Sequence, residues 1–265
     1  MKTISSLLMA VLLLVGSSDA AAQKNKKAKV ENPLIVRTYV VKDFQELVVS
    51  GSVKVVYTQG PLRVRAKGTE AMLQTLHLKQ QPGKMHIYDE DRRGLKRERQ
   101  RIVVYVSTPQ LSELNLSGAS LFEAEKVQAA AFNFTASGAS KSEIDRLNCK
   151  SLEVHASGAS EVEIEGASDK STITLSGASD GDFNLQGASA TLTASGATNV
   201  DIDFVGNKLK ISNSGAAKCE AEVNCREVEF SASGAAKITA EGKAPLQSIR
   251  TSGAGSVNTA KLLKK

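Results

Sequence analysis

The tripeptide Ser-Gly-Ala occurs eight times between Ser117 and Gly255, at almost constant spacing. Successive glycines are 20, 20, 19, 19, 19, 19 and 19 residues apart. A fixed period near 20 residues with short alternating stretches is typical of a solenoid in which each repeat forms one coil. We therefore expect an all-β right-handed parallel β-helix with 19–20-residue coils, its hand taken from the general preference of parallel crossovers. The glycines are Gly118, Gly138, Gly158, Gly177, Gly196, Gly215, Gly234 and Gly253.

Apolar residues alternate with polar ones on both sides of each repeat glycine, which is the period of a β-strand. Residues four and six positions after the glycine form one inward-facing set, and residues four and two positions before it form a second. The pattern predicts two strands of about five residues per coil, joined by tight corners. Stacked coils would then give two parallel sheets with equivalent residues in ladders about 4.8 Å apart.

The Ser-Gly-Ala tripeptide suits a sharp corner. Glycine adopts positive backbone angles without strain, and a β-carbon there would collide with the coils above and below. The preceding serine hydroxyl can bond neighbouring backbone groups that have no sheet partner. Because no histidine or lysine accompanies the serines at a fixed offset, we do not interpret them as nucleophiles.

The chain divides into three parts. Lys2, an apolar stretch over residues 4–15 and small residues up to Ala22 are typical of a secretory signal peptide, predicted at 1–22. Residues 23–32 are predicted to form a basic flexible segment, and 33–262 a single β-solenoid domain. Within that domain, 33–117 would form irregular N-terminal turns and a cap, and 118–255 the regular coils. We expect an exported protein, in the periplasm, on the outer-membrane surface or secreted.

The N-terminal part of the solenoid is β-rich but less periodic. Strands are predicted over residues 36–41, 47–57, 62–66, 85–88 and 102–106, separated by Gly- and Pro-containing turns. Only residues 69–78 look capable of forming a short helix or a loop. A cap is expected because an uncovered end would leave a row of open backbone donors and acceptors.

Composition favours a narrow aliphatic core. Tryptophan is absent and aromatic residues make up 4% of the chain. The three cysteines are an odd number without metal-type spacing, so a disulfide framework is not expected. We predict that Cys149, Cys219 and Cys225 serve as small buried residues.

Three segments together resemble a known family. They are residues 44–55 (FQELVVSGSVKV), 83–87 (GKMHI) and 103–114 (VVYVSTPQLSEL), followed by the Ser-Gly-Ala coils. Their order resembles the auto-transporter adhesin head (GIN) domain family of bacterial envelope proteins, over roughly residues 33–255. The resemblance implies a β-helix-like fold, an envelope or exported location and an adhesive role, and it brings no catalytic residues.

Carboxylates recur five and seven residues after the repeat glycines, in outward-facing positions. Equivalent side chains of neighbouring coils would lie about 5 Å apart, where like charges repel by on the order of 1 kcal/mol per pair even in water. The predicted acidic columns are Glu123, Glu143, Glu163, Asp182, Asp201 and Glu220 in one, and Glu125, Asp145, Glu165, Asp203, Glu222 and Glu241 in the other.

Three explanations for these columns remain open. The first is solvation together with neighbouring bases, which would keep a long sheet soluble. The second is calcium, which takes clustered carboxylate oxygens and is the only cofactor considered; no certain metal site is identified. The third is a basic partner surface. The neighbouring bases are Lys126, Lys141, Arg146, Lys218 and Lys237.

A second outward face is mainly hydroxyl and amide in character. It could bind a glycan or ordered water, although threonine also simply suits strands. Its residues are Asn115, Thr135, His155, Thr174, Thr193, Ser212, Ser231 and Arg250, with Thr172 and Thr191 beside them.

Charge is unevenly distributed along the chain. Residues 24–117 hold 18 Lys and Arg against 9 Asp and Glu, whereas residues 118–255 hold 12 against 18. The densest basic run has three interpretations: a solvated hairpin loop, a polyanion site, and a contact with the acidic columns of another copy. Since we expect export, no nucleic-acid partner is predicted. The loop residues are Arg92, Arg93, Lys96, Arg97, Arg99 and Arg101.

Catalysis is not expected. The constant coil length leaves no room for cleft-forming loops, and no carboxylate pair is predicted in an apolar pocket that would tune an acid catalyst. His77, His86 and His155 are isolated along the chain and are interpreted as strand residues. The sequence predicts a non-catalytic binding module for an unknown envelope or surface ligand. The alternatives are a periplasmic scaffolding protein and, less favoured, a polysaccharide-active enzyme.

Overall fold

The computed structural model describes residues 33–90 and 101–264. It is an all-β solenoid of about 8 turns, with 70% strand and 3% helix. The solenoid predicted from the glycine spacing is confirmed, while its hand remains a prediction. The signal peptide, the basic segment and residues 91–100 lie outside the described residues, and the domain boundaries stay predictions.

Nineteen strands and one helix are present in the described part of the chain. In chain order they are β1 (Ile35–Tyr39), β2 (Phe44–Ser50), β3 (Lys54–Gln59), β4 (Arg63–Gly68), α1 (Glu70–Thr75), β5 (Leu76–Gln81), β6 (Gly83–Asp89), β7 (Val103–Thr108), β8 (Glu113–Leu116), β9 (Leu121–Ala124), β10 (Val127–Gln128), β11 (Ala131–Ala136), β12 (Lys141–Ala156), β13 (Glu161–Leu175), β14 (Asp180–Ala194), β15 (Asn199–Asn213), β16 (Lys218–Ala232), β17 (Lys237–Lys243), β18 (Leu246–Thr251) and β19 (Ser256–Leu263).

The repeat glycines stack directly upon one another. Gly158 has a φ of 77°, and a β-carbon there would lie 2.7 Å from the carbonyl oxygen of Gly138. The amide of Ala159 donates to that same oxygen at 2.7 Å, and the bond recurs from coil to coil. Ser137 Oγ donates to the carbonyl of Leu116 at 3.2 Å, as expected for a corner serine. Close backbone approach and positive φ together explain why glycine recurs here.

Each coil has a second corner, about midway between successive Ser-Gly-Ala corners, and it is smoother than predicted. From β12 to β16 each coil is one strand of 15 or 16 residues that bends without a break, so the described strands form one continuous hydrogen-bonded sheet. The prediction of two five-residue strands per coil and two separate sheets is wrong for these coils, because backbone pairing continues around the bend. Coils made of short separate strands are found before these, in β8 to β11, and after them, in β17 and β18.

The core is a narrow ladder of aliphatic and phenylalanine side chains. Both predicted inward columns are buried through the regular coils, as Val162, Ile164 and Ile173 illustrate. A third column, not predicted, adds Leu185 and Phe204 near the second corner. At the last coil the core opens, since Ile249 is 43% exposed.

The N-terminal strands continue the stack and then reverse direction. β2 and β3 pair in parallel with β8 and β9, while β4 and β5 pair antiparallel with β7 and β6, and β1 with β4. The predicted strand at 47–57 is two strands, because Gly51 forms an additional corner beneath Gly118. The region expected to be a helix or loop is α1 followed by β5. No helix among the described residues is long and apolar enough to span a membrane.

Candidate functional site

One outward face of the solenoid carries the first acidic column as a straight row. Glu123, Glu143, Glu163, Asp182, Asp201 and Glu220 are successive register partners, and Thr239 and Asn258 continue the row. We call this surface, with the second column beside it, the acidic face. Outward pointing follows from strand alternation, because the residues on either side of each carboxylate are buried.

The second acidic column is straight only in part. Glu165, Asn184, Asp203, Glu222 and Glu241 are in register. The ladder between β12 and β13 shifts between Ile144 and Leu147, so Asp145 lies at a bulge, and Glu125 precedes β10 in a bend. The sequence does carry a signal for this shift: the coil from Gly138 to Gly158 has 20 residues and the next has 19, so β12 holds one residue more than β13 and the ladder must shift by one.

Partial burial and mutual repulsion raise the pKa of two carboxylates on the acidic face. The pKa of Glu163 is raised by desolvation, and further by Glu143 and Asp182 on the adjoining coils. Desolvation likewise raises the pKa of Asp201, with Glu220 and Asp182 adding to the effect. The face is therefore held at an electrostatic cost at neutral pH, which a cation close to it would offset.

Basic side chains neutralise only the margins of the acidic face. Lys54 Nζ lies 2.5 Å from Glu123 Oε1, and Lys141 Nζ lies 2.6 Å from Glu161 Oε1. Arg146 pairs with Glu125 beside the bulge. Of the remaining predicted bases, Lys218 and Lys237 are register partners in the next outward row, and Lys126 is exposed at the corner.

The described residues contain no group of three or more His, Cys, Asp or Glu side chains arranged to hold a metal ion. Two shallow hollows lie at the second corner. One is beside Gly166 and is lined by Asp145 and Glu165, and the other is beside Gly242 and is lined by Asp203 and Glu222. Both are open to solvent and bordered by acidic residues.

The predicted hydroxyl face is also in register. Asn115, Thr135, His155, Thr174, Thr193, Ser212, Ser231 and Arg250 are successive partners. Its neighbouring row is more charged than expected. Thr172 and Thr191 are flanked there by Glu153 and Lys210, and Lys208 bridges Glu227 and Glu229 at 3.0 and 2.5 Å. Hydroxyl character is thus limited to one row and one threonine pair.

A basic strand shares the acidic face and was not predicted from the sequence. β4 alternates exposed and buried residues, with Arg63, Arg65 and Lys67 exposed. Arg65 pairs with Tyr105, which pairs with Val56, which pairs with Glu123. The alternation of basic residues along β4 is visible in the sequence. The antiparallel pairing that places β4 on this face is not. Of the predicted basic loop, Arg101 is exposed, and the other residues lie outside the described part.

The histidines lie on strands, as predicted. His77 and His86 flank the ring of Tyr88 on β5 and β6, and His86 Nε2 lies 2.9 Å from Ser50 Oγ. Desolvation, together with the nearby lysines, lowers the pKa of His86. His155 Nε2 lies 3.0 Å from Glu153 Oε1 on the hydroxyl face.

The cysteines are buried and unpaired in the described structure, as predicted. Burial raises the pKa of each thiol, most strongly at Cys219. A buried thiol with a raised pKa is a poor nucleophile, so these residues act as core fillers.

The chain matches one family model, described as putative auto-transporter adhesin, head GIN domain, over residues 43–203 and 184–265. No curated protein matches it.

Several solved bacterial structures share the fold. A putative lipid binding protein from Parabacteroides distasonis ATCC 8503 has a TM-score of 0.75 at 15% identity, covering 88% of this chain and 98% of that one. A putative adhesin from Parabacteroides merdae ATCC 43184 has a TM-score of 0.70 at 15% identity, with the same coverage of 88% and 98%. A putative adhesin from Bacteroides fragilis NCTC 9343 has a TM-score of 0.67 at 14% identity, covering 83% and 97%. At these identities the likeness concerns the fold alone.

Proposed function

Because the chain belongs to the auto-transporter adhesin head GIN domain family, we propose that it is an exported, non-catalytic binding module of the cell envelope. Its acidic face would contact a basic partner surface, and its hydroxyl face would remain available for a second ligand such as a glycan. The family and the sequence resemblance support an envelope or surface location. The signal-like residues 1–22 support export.

One observation carries the proposal: six carboxylates stand in a single register row with few bases between them. Desolvation first, and then the neighbouring carboxylates, raise the pKa of Glu163 and of Asp201, so the charged row carries an electrostatic cost at neutral pH. A surface of this kind attracts a cationic partner over long range and gains stability when it is covered. Calcium is the competing occupant, since it also binds carboxylate oxygens.

Titration separates the two occupants. We would titrate the purified protein with calcium chloride and, separately, with a decalysine peptide, following heat and melting temperature. The acidic-face variant Glu163→Gln/Asp182→Asn/Asp201→Asn should bind decalysine several-fold more weakly than the wild type. The matched control Glu153→Gln/Glu227→Gln/Glu229→Gln makes the same charge change on the other face and should bind normally.

Equal weakening of both variants would indicate only a net-charge effect and contradict a specific use of the acidic face. Binding of calcium in preference to decalysine would assign the face to metal.

Support for a non-catalytic role comes from the shape of the acidic face. Its carboxylates face solvent along a flat sheet, and the two hollows beside it are shallow and open. An acid catalyst needs a carboxyl in an apolar, enclosed environment. Release of reducing sugar from envelope polysaccharides by the purified protein would favour the enzyme alternative instead.

Location distinguishes a surface-binding module from a periplasmic scaffold. Protease added to intact cells should remove the protein if it is displayed on the surface. Protection until the outer membrane is opened would favour the scaffolding alternative.

A further inference from the structure

We propose that the basic partner of the acidic face is β4 of a second copy of this chain, in a face-to-face dimer with antiparallel solenoid axes. The inference rests on the proposed use of the acidic face and names the surface that would cover it.

The basic strand and the acidic row lie on one continuous surface. Arg65, Tyr105, Val56, Glu123, Glu143 and Glu163 follow each other as register partners. One row over, the partners are Lys67, Val103, Lys54, Leu121, Lys141 and Glu161. Arg65 is therefore five strand steps from Glu163, and Lys67 is five steps from Glu161, or about 24 Å at the usual strand spacing.

The charge spacing along the two strands is the same. β4 presents Arg63, Arg65 and Lys67 at alternate positions, and β13 presents Glu161, Glu163 and Glu165 at alternate positions. β4 runs antiparallel to β7, which runs parallel with β3, β9, β12 and β13. The two charged strands thus run in opposite directions on the same face.

A two-fold axis parallel to the strands, lying between β3 at Val56 and β9 at Glu123, places the opposite charges of the two copies face to face. It brings Arg65 opposite Glu163 and Lys67 opposite Glu161 of the second copy. Arg63 is then level with Glu165. In the same row as Arg65, Tyr105 then lies opposite Glu143 of the second copy, and its hydroxyl can donate a hydrogen bond to that carboxylate. The symmetry repeats every pair, as in an isologous dimer.

The bases of β4 are available, whereas Glu161 already pairs with Lys141 of its own chain at 2.6 Å and would share its carboxylate with Lys67. Among residues 33–90 and 101–264, no salt bridge involves Arg63, Arg65 or Lys67. Tyr105 is 38% exposed and Val36, on the strand beside β4, is 58% exposed. Desolvation and the neighbouring Glu143 and Asp182 raise the pKa of Glu163, and an opposing guanidinium would offset both effects.

The contact is of modest size. A contact across six strands about 4.8 Å apart, with about five residues from each strand, would bury on the order of 500 Å² per copy. That lies at the low end for specific interfaces, and charge pairs there are screened by salt. We therefore expect a weak dimer that dissociates as ionic strength rises.

A charge-swap experiment tests this pairing by sedimentation at about 100 µM protein, in about 50 mM and about 500 mM sodium chloride. The wild type should be dimeric at low salt and monomeric at high salt. The variants Arg63→Glu/Arg65→Glu/Lys67→Glu and Glu161→Lys/Glu163→Lys/Glu165→Lys should each be monomeric alone. Mixed together they should form a heterodimer, because each acidic strand then faces a basic one.

The control variant Lys150→Glu/Lys170→Glu/Lys210→Glu makes the same charge change away from the acidic face and should dimerise like the wild type. A wild type that stays monomeric at low salt, or variants that do not recombine on mixing, would overturn the proposal. If decalysine still binds the acidic face in that case, only the identity of the partner is wrong. If decalysine fails as well, the proposed use of the face is wrong.

Discussion

Glu163 and Asp182 lie directly opposite each other in the parallel ladder between β13 and β14. Two carboxylates of successive coils therefore face the same solvent at the spacing of neighbouring strands. The relationship repeats along the row, with Glu143 on one side and Asp201 on the other. The electrostatic behaviour of the molecule depends on this repetition.

The acidic row should destabilise the fold at neutral pH. Replacing Glu163 by Gln and Asp201 by Asn should raise stability at pH 7 by on the order of 0.5 kcal/mol per site, since both groups are solvent-exposed. A raised folded-state pKa means that protonation favours the folded protein. This stabilisation is complete below the ordinary values of 4.5 for Glu163 and 3.8 for Asp201, and it is lost as pH rises through the raised values. Thermal melting between pH 7 and pH 4 should thus show the variants' advantage shrinking as pH falls.

Glu229 provides a control of opposite sign. Hydrogen bonding to Lys208 lowers its pKa, so Glu229→Gln should destabilise the protein at pH 7, and that loss should also fade as pH falls. If all three substitutions shift the melting temperature in one direction, the row is not electrostatically distinct from other surface carboxylates.

The stacked glycines should be intolerant of a methyl group. Gly158→Ala introduces a β-carbon 2.7 Å from Gly138 O at a φ of 77°, and we expect a loss of about 3 kcal/mol or more in urea unfolding. Gly83→Ala is a matched control, because Gly83 has a φ of 75° with nothing within 4 Å of the added carbon. The Gly83→Ala variant should lose only the stability that a left-handed backbone angle costs a non-glycine residue, about 1–2 kcal/mol. Equal losses would show that stacking does not constrain the corner.

Asp89 should act as a cap on the corner column. Its Oδ1 accepts a hydrogen bond from the amide of Ser52 at 2.8 Å, and it occupies the space beside Gly51 where another coil would otherwise stack. Asp89→Ala should cost about 1 kcal/mol and speed hydrogen exchange at Ser52. Asp89→Asn keeps an oxygen acceptor and should behave like the wild type. An Asn variant as damaged as the Ala variant would argue against this role.

Two buried hydroxyls at equivalent positions should differ in their contribution to the free energy of unfolding. Ser160 Oγ has no hydrogen-bond partner among the described residues, whereas Ser179 Oγ donates to the carbonyl of Ser176 at 2.9 Å. Ser160→Ala should leave the free energy of unfolding within about 0.5 kcal/mol of the wild type or raise it, while Ser179→Ala should lower it by about 1 kcal/mol. Later coils already carry Ala217 and Ala236 at this position. A large loss at Ser160 would mean that its hydroxyl is bonded after all.

The regular coils could be predicted from sequence because equivalent residues recur at fixed distance from a glycine. Burial of Val162 and Ile164 and exposure of Glu163 follow from strand alternation once the corner is located. Gly51 could not be located in the same way, since 67 residues separate it from Gly118, with which it stacks. The strands between them fold back antiparallel before the stack resumes.

The acidic row was predictable and its relation to β4 was not. The row depends only on the repeat, whereas the position of Arg65 depends on β4 pairing antiparallel with β7. The bulge at Asp145 lies between these two cases. The drop in glycine spacing from 20 residues at this coil to 19 at the next signals one extra residue, but the spacing does not say where in the coil that residue bulges. The antiparallel return of β4 is set by tertiary packing and carries no periodic signal.

The register of successive coils can be measured directly with pairs of spin labels on the acidic row. Labels at Glu123 and Asp201 span four coil steps and should lie about 19 Å apart, and labels at Glu123 and Asn258 span seven steps and should lie about 34 Å apart. The three native cysteines are buried, so labelling should be confined to the introduced sites. We predict that distance grows by about 4.8 Å for each added coil. Distances that do not increase with coil number would contradict the stacked solenoid and every surface assigned from it.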